Sequence, residues 1–289
     1  MLNIIVNPYA LRGKGGKILE RTEQRLKREE VPYHIFRSEK KGAVTLFAKS
    51  LTEAGEKNII AFGGDGTVNE ALSGLYKPEE VTFGIIPAGT GNDFAAAANI
   101  PFGEKALDLI LYGEAKPTDY IQFSDGRRSL NITGLGIDVD ILERYEARKQ
   151  RGKRGSYFRS LLSSLRHFEP IELSVTADGE RKEYTAMIAA LCNGSRFGGG
   201  IKICPTARID DGKIELIVVD CPKRSKMLIE LIYLMRGKIL KRPIVHHLLC
   251  DEVIIEPKKA CSAQYDGEIK PCESLHGNIV HGALKMFRG

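Results

Sequence analysis

Apolar and polar positions fall into two regimes along the chain. In the first, short mostly apolar runs (Leu2–Val6, 58–62 and 82–86), with a further strand at Tyr33–Arg37, alternate with segments of helical spacing. Runs of this length without polar alternation predict strands buried on both faces. The patterns between them predict helices: a charged one ending near Glu30, then about Ala43 to Ala54, Val68 to Leu75 and Phe94 to Ala98. This βαβα rhythm predicts a parallel sheet with helices on both faces, a three-layer α/β domain. The second regime begins near Asp119, where strands dominate: 119–123, 128–134, 170–177, 183–192, 214–220, 251–256 and 261–265. Hairpin signals stand at Ser124-Asp-Gly126 and Ala177-Asp-Gly179, and two helical stretches interrupt the strands, about 139–167 and 223–236. The expected fold is thus α/β plus mainly β, with an α/β domain over 1–124 and an antiparallel, sandwich-like domain over 125–277. A last apolar strand at 278–287 suits either half, so residues 278–289 can return to the first. No repeat or low-complexity linker is visible.

Composition changes this picture little. A chain of 289 residues supports two domains, and a net charge of +6 is too small to argue for nucleic acid. The start, Met-Leu-Asn-Ile-Ile-Val-Asn-Pro, runs directly into a strand and lacks the pattern of a signal peptide, so a cytoplasmic location is expected. The longest apolar helical pattern, Met227 to Met235, is too short to span a bilayer and holds Glu230. All six cysteines lie in the second half without a C-x-x-C, which favours reduced thiols over a zinc or disulfide framework. The six histidines lack metal spacing, and the adjacent His246 and His247 would point to opposite faces of a strand.

The chemistry-bearing signal is Gly63-Gly-Asp-Gly-Thr67, between an apolar run and a helical pattern. Glycines at a strand-to-helix turn let the backbone lie against a ligand, and the helix end turns free amides toward the same spot. A carboxylate there would repel bare phosphate, so Asp65 implies a divalent cation between them. A second turn of this kind, Pro87-Ala-Gly-Thr-Gly-Asn-Asp-Phe94, ends the next strand. Two such loops on neighbouring parallel strands would face one crevice at the carboxyl ends. Asn7-Pro8 through Gly13-Lys14-Gly15-Gly16 is a third loop opening a helix; its amides and Lys14 suit phosphate, although a plain βα loop explains it equally. Ser38 closes the next strand on the same edge, as a nucleotide contact or as a helix cap. Asp210-Asp-Gly212 and Asp266-Gly-Glu268 read as turns by default; the first also suits a hard cation and the second a general base.

In order and content, these motifs together with Gly198-Gly-Gly200 resemble the diacylglycerol kinase catalytic-domain family, which includes soluble bacterial lipid kinases and the sphingosine kinases. The likeness runs over essentially the whole chain. It implies ATP in a cleft between the α/β domain and the β-rich domain, magnesium, and transfer of the γ-phosphoryl group to a lipid hydroxyl. Carried over by position, Asn7, Pro8, Gly13, Lys14, Ser38, Gly64, Asp65, Gly66, Thr67, Val68, Asn69, Glu70, Thr90 and Asn92 would contact nucleotide. Asp65 and Asp93 would organise magnesium and phosphates. Asp266 and Glu268 would deprotonate or orient the acceptor hydroxyl. A structural magnesium would use Asp211 with the main-chain carbonyls of Arg208 and Lys213. Ser38 stands where a threonine is common in the family.

The acceptor expected is diacylglycerol or a similar lipid alcohol, met transiently at the inner face of the membrane without a transmembrane span. A homodimer is compatible with strand edges in the second domain. Two other readings stay open: a NAD-kinase-like small-molecule kinase, which shares the Gly-Gly-Asp-Gly motif, and a non-catalytic lipid- or nucleotide-binding protein. The stretch Arg144 to Arg166 is rich in Lys and Arg with a single acid, Glu146. It reads either as a solvated helix or as a contact with anionic lipid; nothing in it forms a nucleic-acid-binding module.

Overall fold

The structure is a computed structural model that describes residues 1–7, 14–40, 42–150 and 157–289. The chain divides into two compact units. Unit one comprises Met1–Tyr120, Ile209–Asp211 and Val280–Gly289; unit two comprises Ile121–Arg208 and Gly212–Ile279.

Unit one runs β1 (Leu2–Val6), α1 (Gly15–Arg28), β2 (Tyr33–Arg37), α2 (Ala43–Glu53), β3 (Asn58–Gly63), α3 (Asp65–Gly74), β4 (Thr82–Pro87), α4 (Asp93–Ala97) and α5 (Leu107–Tyr112). The strands pair in parallel in the order β2-β1-β3-β4. Ile4, Ile5, Ile59, Ile60, Phe83 and Ile85 are consecutive or near-consecutive in sequence and all buried, as a sheet covered on both faces requires. The helices supply the covering side chains, such as Leu19 and Leu26 from α1, Val44 and Ala48 from α2, and Ala71 and Leu72 from α3. Gly74 permits the close α2–α3 crossing, because a Cβ there would stand 2.2 Å from the Thr45 carbonyl oxygen.

β5 (Ala115–Phe123) leads from unit one into unit two. There follow β6 (Arg128–Ser129), β7 (Ile132–Gly136), α6 (Ile137–Gln150), α7 (Tyr157–His167), β8 (Ile171–Ala177), β9 (Glu180–Cys192), β10 (Ile214–Asp220) and α8 (Met227–Met235). The chain closes with β11 (Val245–Cys250), β12 (Glu252–Pro257), β13 (Cys261–Tyr265), β14 (Glu268–Cys272) and β15 (Leu275–Phe287). Within unit two the pairing is antiparallel, in the order β14-β13-β7-β9-β8-β12, with β10 between β9 and β11. Side chains alternate along β9: Ala189 and Leu191 enter one apolar cluster, while Ile188, Ala190 and Cys192 enter another on the opposite face. The first residues of β15 pair with β12, and its last pair in parallel with β4 of unit one.

Several expectations need correction. The helical stretch 139–167 is two helices, with 151–156 outside the described residues. β5 starts at Ala115 rather than 119, and the expected strand 128–134 is two strands, β6 and β7. α5, β11 and β14 were not expected. β14 holds Pro271, which removes a ladder donor and reads against a strand; its place at the edge of the pairing order tolerates it.

Candidate active site

The expected nucleotide residues of unit one gather at one edge. Register pairs Val6 with Arg37 and Phe62, and Gly63 with Pro87, which sets the carboxyl ends of β2, β1, β3 and β4 level. The ladder continues one residue into each loop: Asn7 N donates to Phe62 O, Ser38 N to Val6 O at 2.9 Å, and Ala88 N to Gly63 O at 2.8 Å. Asn7, Ser38, Gly64 and Ala88 therefore leave the sheet side by side.

The two glycine turns touch backbone to backbone. A Cβ on Gly89 would lie 2.4 Å from Gly64 Cα, and one on Gly64 would lie 3.1 Å from Gly89 Cα. Asn92, in the left-handed region at φ 55°, locks the second turn: its Oδ1 accepts from Gly89 N at 3.0 Å and its Nδ2 donates to Gly89 O at 2.8 Å. Asp65 opens α3, where the helix dipole favours a carboxylate, and its Oδ1 accepts from Phe94 N at 3.2 Å. The other oxygen, Oδ2, stands 2.9 Å from where a Cβ on Gly91 would be, and Asp93 Oδ2 stands 3.4 Å from that same point. Two carboxylates thus converge over one bare stretch of backbone.

Other expected nucleotide residues are placed differently. Thr67, Val68 and Asn69 are buried, with Val68 in the core of unit one, so these three would serve a ligand through main chain rather than side chain. Ser38 is also buried, whereas Lys14, Gly66 and Thr90 are exposed and Glu70 is half-buried. Pro8 and Gly13 lie outside the described residues.

In unit two, Asp266 and Gly267 form the two-residue loop of the β13–β14 hairpin, both with positive φ (47° and 92°). The Asp266 carboxylate is also an anchor. Its Oδ1 accepts from Ser129 Oγ at 2.5 Å and from Asn131 N and Ile132 N at 3.0 Å, while Oδ2 accepts from Leu130 N at 2.8 Å. Glu268 pairs with Lys270 at 2.9 Å. In the 208–213 turn, Asp210 is bound to the largely buried Arg288 at 2.8 Å, Gly212 has φ 72°, and Lys213 pairs with Asp251 at 2.6 Å.

Asp138 was missed from sequence. It follows the β7–α6 turn and reaches back over Gly134, where a Cβ would stand 2.5 Å from its Oδ2. It is buried, and neither oxygen has a hydrogen-bond partner of ordinary geometry among the described residues. Burial pushes its carboxyl up to about 6, opposed by the nearby Gln264 amide and by main-chain amides. Asp138 stands in the wall of an apolar pocket lined by Ile137, Leu161, Phe197, Val219, Leu231 and Leu234 among others. Its signal, Gly134-Leu-Gly-Ile-Asp138, is a further strand-to-helix turn holding glycines and a carboxylate.

A second polar cluster in unit two has a simpler account. Cys204 Sγ (3.1 Å), Thr206 Oγ1 (3.0 Å) and His247 Nε2 all reach Glu215 Oε2. These contacts satisfy a carboxylate buried between strands.

Residues 1–123 match the model of the diacylglycerol kinase catalytic domain, and residues 131–288 match that of the YegS C-terminal NAD kinase beta sandwich-like domain. A protein of Enterobacter sp. (strain 638) named "Probable lipid kinase YegS-like" is 30% identical over 213 residues, 71% of each chain. One of the same name from Serratia proteamaculans (strain 568) is 30% identical over 210 residues, 71% of this chain and 69% of that one. The crystal structure of a diacylglycerol kinase from Bacillus anthracis str. Sterne superposes with a TM-score of 0.81 at 27% identity, covering 100% of this chain and 96% of the other. With both halves matched in order, the chain belongs to the YegS-like lipid kinase family, built on a diacylglycerol kinase catalytic domain.

Proposed function

We propose that this protein transfers the γ-phosphoryl group of ATP to the hydroxyl of diacylglycerol or a similar lipid alcohol. The observation that carries the reading is the backbone contact of Gly64 with Gly89, which presents two glycine turns and two carboxylates at one sheet edge. Phosphoryl transfer asks a protein for positioning and charge neutralisation more than for covalent chemistry. Main-chain amides at the start of α3 hold phosphate oxygens, and Asn92 keeps the second turn in shape for the same task.

Magnesium fits this donor set: Asp65 and Asp93 offer hard oxygen ligands converging on a position without a side chain. When bound, the ion offsets the charge of the phosphates. At the acceptor, the division of labour follows from the hydrogen bonds. Asp266, holding four donors, fixes the Ser129–Ile132 loop, and Glu268 takes the hydroxyl proton. The apolar pocket suits an acyl chain, and Asp138, its buried carboxyl, accepts or donates a hydrogen bond to the polar head of the acceptor.

The deciding experiment is a labelled-ATP assay over diacylglycerol, sphingoid bases, polyprenols, NAD and small polyols, with and without magnesium. Label transferred to a lipid alcohol in a magnesium-dependent manner is expected. Transfer to NAD alone would replace this reading with the small-molecule kinase, and transfer to nothing would leave a binding protein.

A further inference from the structure

α8 turns the wrong side outward for a helix in water. Leu228 is 64% exposed, and Ile229, Ile232 and Met235 are 47%, 43% and 50% exposed. These positions recur at helical spacing and make one stripe. Its only charged residue, Glu230, is buried and held by Arg242 through hydrogen bonds of 2.8 and 2.9 Å. An ordinary surface helix has the opposite arrangement.

The surroundings say what this stripe meets. Lys223, Arg224 and Lys226 precede the helix, Arg236, Lys238 and Lys241 follow it, and all six are exposed. None of them forms an ion pair among the described residues, and Glu230 is the only acid between 223 and 242. A second copy of the chain would bring an identical set of cations against this one across a two-fold axis. An anionic bilayer instead attracts the cations to its headgroups and receives the apolar side chains below them. The inner side of the same helix supplies Met227, Leu231 and Leu234 to the apolar pocket.

We propose that α8 is the membrane-docking element of this protein, lying in the headgroup plane of an anionic bilayer with Leu228, Ile229, Ile232 and Met235 inserted. Docked this way, one helix joins acyl chains on its outer side to the acceptor pocket on its inner side. The proposal rests on the lipid-kinase reading for its purpose, but not for its test.

The test is partition of the full chain onto vesicles of phosphatidylglycerol and phosphatidylcholine, compared with pure phosphatidylcholine. Wild type should prefer the anionic vesicles and be released by salt. Removing two inserted side chains, Leu228→Ser with Ile232→Ser, should weaken partition by about 100-fold, roughly tenfold for each. Lys223→Gln, Arg224→Gln and Lys226→Gln should each cost about fivefold at low salt. Both sets alter exposed positions, so melting temperatures should match wild type, and a matched melt excludes misfolding as the cause. Phosphorylation of a short-chain, water-soluble diacylglycerol should survive in the same variants while turnover on vesicles falls. Unchanged partition in the Leu228/Ile232 variant overturns the proposal even where lipid phosphorylation is intact. If that variant instead turns a dimer into a monomer in sedimentation, the occupant is a second copy. A wild type that binds anionic vesicles through α8 yet phosphorylates no lipid defeats the functional reading and leaves the docking surface standing.

Discussion

Replacing Asp138 by Asn should stabilise this protein, and the gain should grow with pH. The carboxyl is buried at the pocket wall without a hydrogen-bond partner of ordinary geometry among the described residues, and burial lifts it from 3.8 to about 6. The folded state therefore keeps a proton that the unfolded chain gives up. Below the unfolded value both states are protonated and the group is neutral in effect. Between 3.8 and about 6 the unfolded state binds fewer protons, so folding becomes less favourable as pH rises; above about 6 the penalty is constant. The displacement corresponds to about 3 kcal/mol in full, most of which develops from about pH 4 to about pH 8. Other carboxylates drive stability the opposite way, so the quantity to measure is a difference. Urea unfolding of wild type and Asp138→Asn, compared across that range, should show a gap that opens with pH in favour of the variant. A gap that is flat in pH, or one that favours wild type at alkaline pH, would refute the reasoning. A retained carboxylate with such a cost belongs with stability traded for activity, so the same variant should raise the KM for the lipid acceptor while leaving that for ATP unchanged.

The remaining predictions concern the phosphate edge and the carboxylates around it. Asp65→Ala should lower kcat by on the order of 100-fold or more in a protein that remains folded; near-normal turnover would remove it from the site. Gly89→Ala places a Cβ 2.4 Å from Gly64 Cα and should separate the two turns, read as weaker ATP binding by calorimetry, whereas Gly66→Ala meets nothing within 4 Å. Asp266→Ala strands the donors of Ser129, Leu130, Asn131 and Ile132 and should destabilise the fold by about 3 kcal/mol or more. Glu268→Gln should melt like wild type and lower kcat by on the order of 100-fold or more. If the 208–213 turn holds magnesium, chelation should lower the melting temperature of wild type but not of Asp211→Ala.

What could be read in advance followed periodicity and turn chemistry. β1, β3 and β4 of unit one announced themselves because burial on both faces leaves mostly apolar runs, whereas β2, at the end of the strand order, is only partly buried. The hairpins at Asp125-Gly126 and Asp178-Gly179 did so because glycine, and here also Asp178, adopts positive φ. β11 hid because Val-His-His-Leu-Leu-Cys has no clean alternation: its histidines point to opposite faces, His246 to Asp220 and His247 to Glu215. The membrane contact expected over 144–166 falls largely on side chains outside the described residues. The apolar stripe of α8 was in plain view as Met227–Met235, but only tertiary packing tells which of its faces is left outside.

The carboxylates show most clearly what a linear reading lacks. Asp266 sits in a hairpin turn and Asp138 just after a strand-to-helix turn, and of the two only Asp266 was expected from sequence as an acid or base. In the fold they come just after neighbouring strands, Asp266 after β13 and Asp138 after β7: Tyr265 pairs with Thr133, and Gln264 with Gly134. Yet four donors converge on Asp266, and among the described residues none of ordinary geometry reaches Asp138. A carboxylate already holding four hydrogen bonds has little capacity left for a substrate proton, whereas a carboxyl touched only by poorly aligned amides in an apolar wall keeps more capacity for a polar group brought in by a ligand. The motif residue is thus held by the fold, and the residue outside every expected motif stands in the pocket wall.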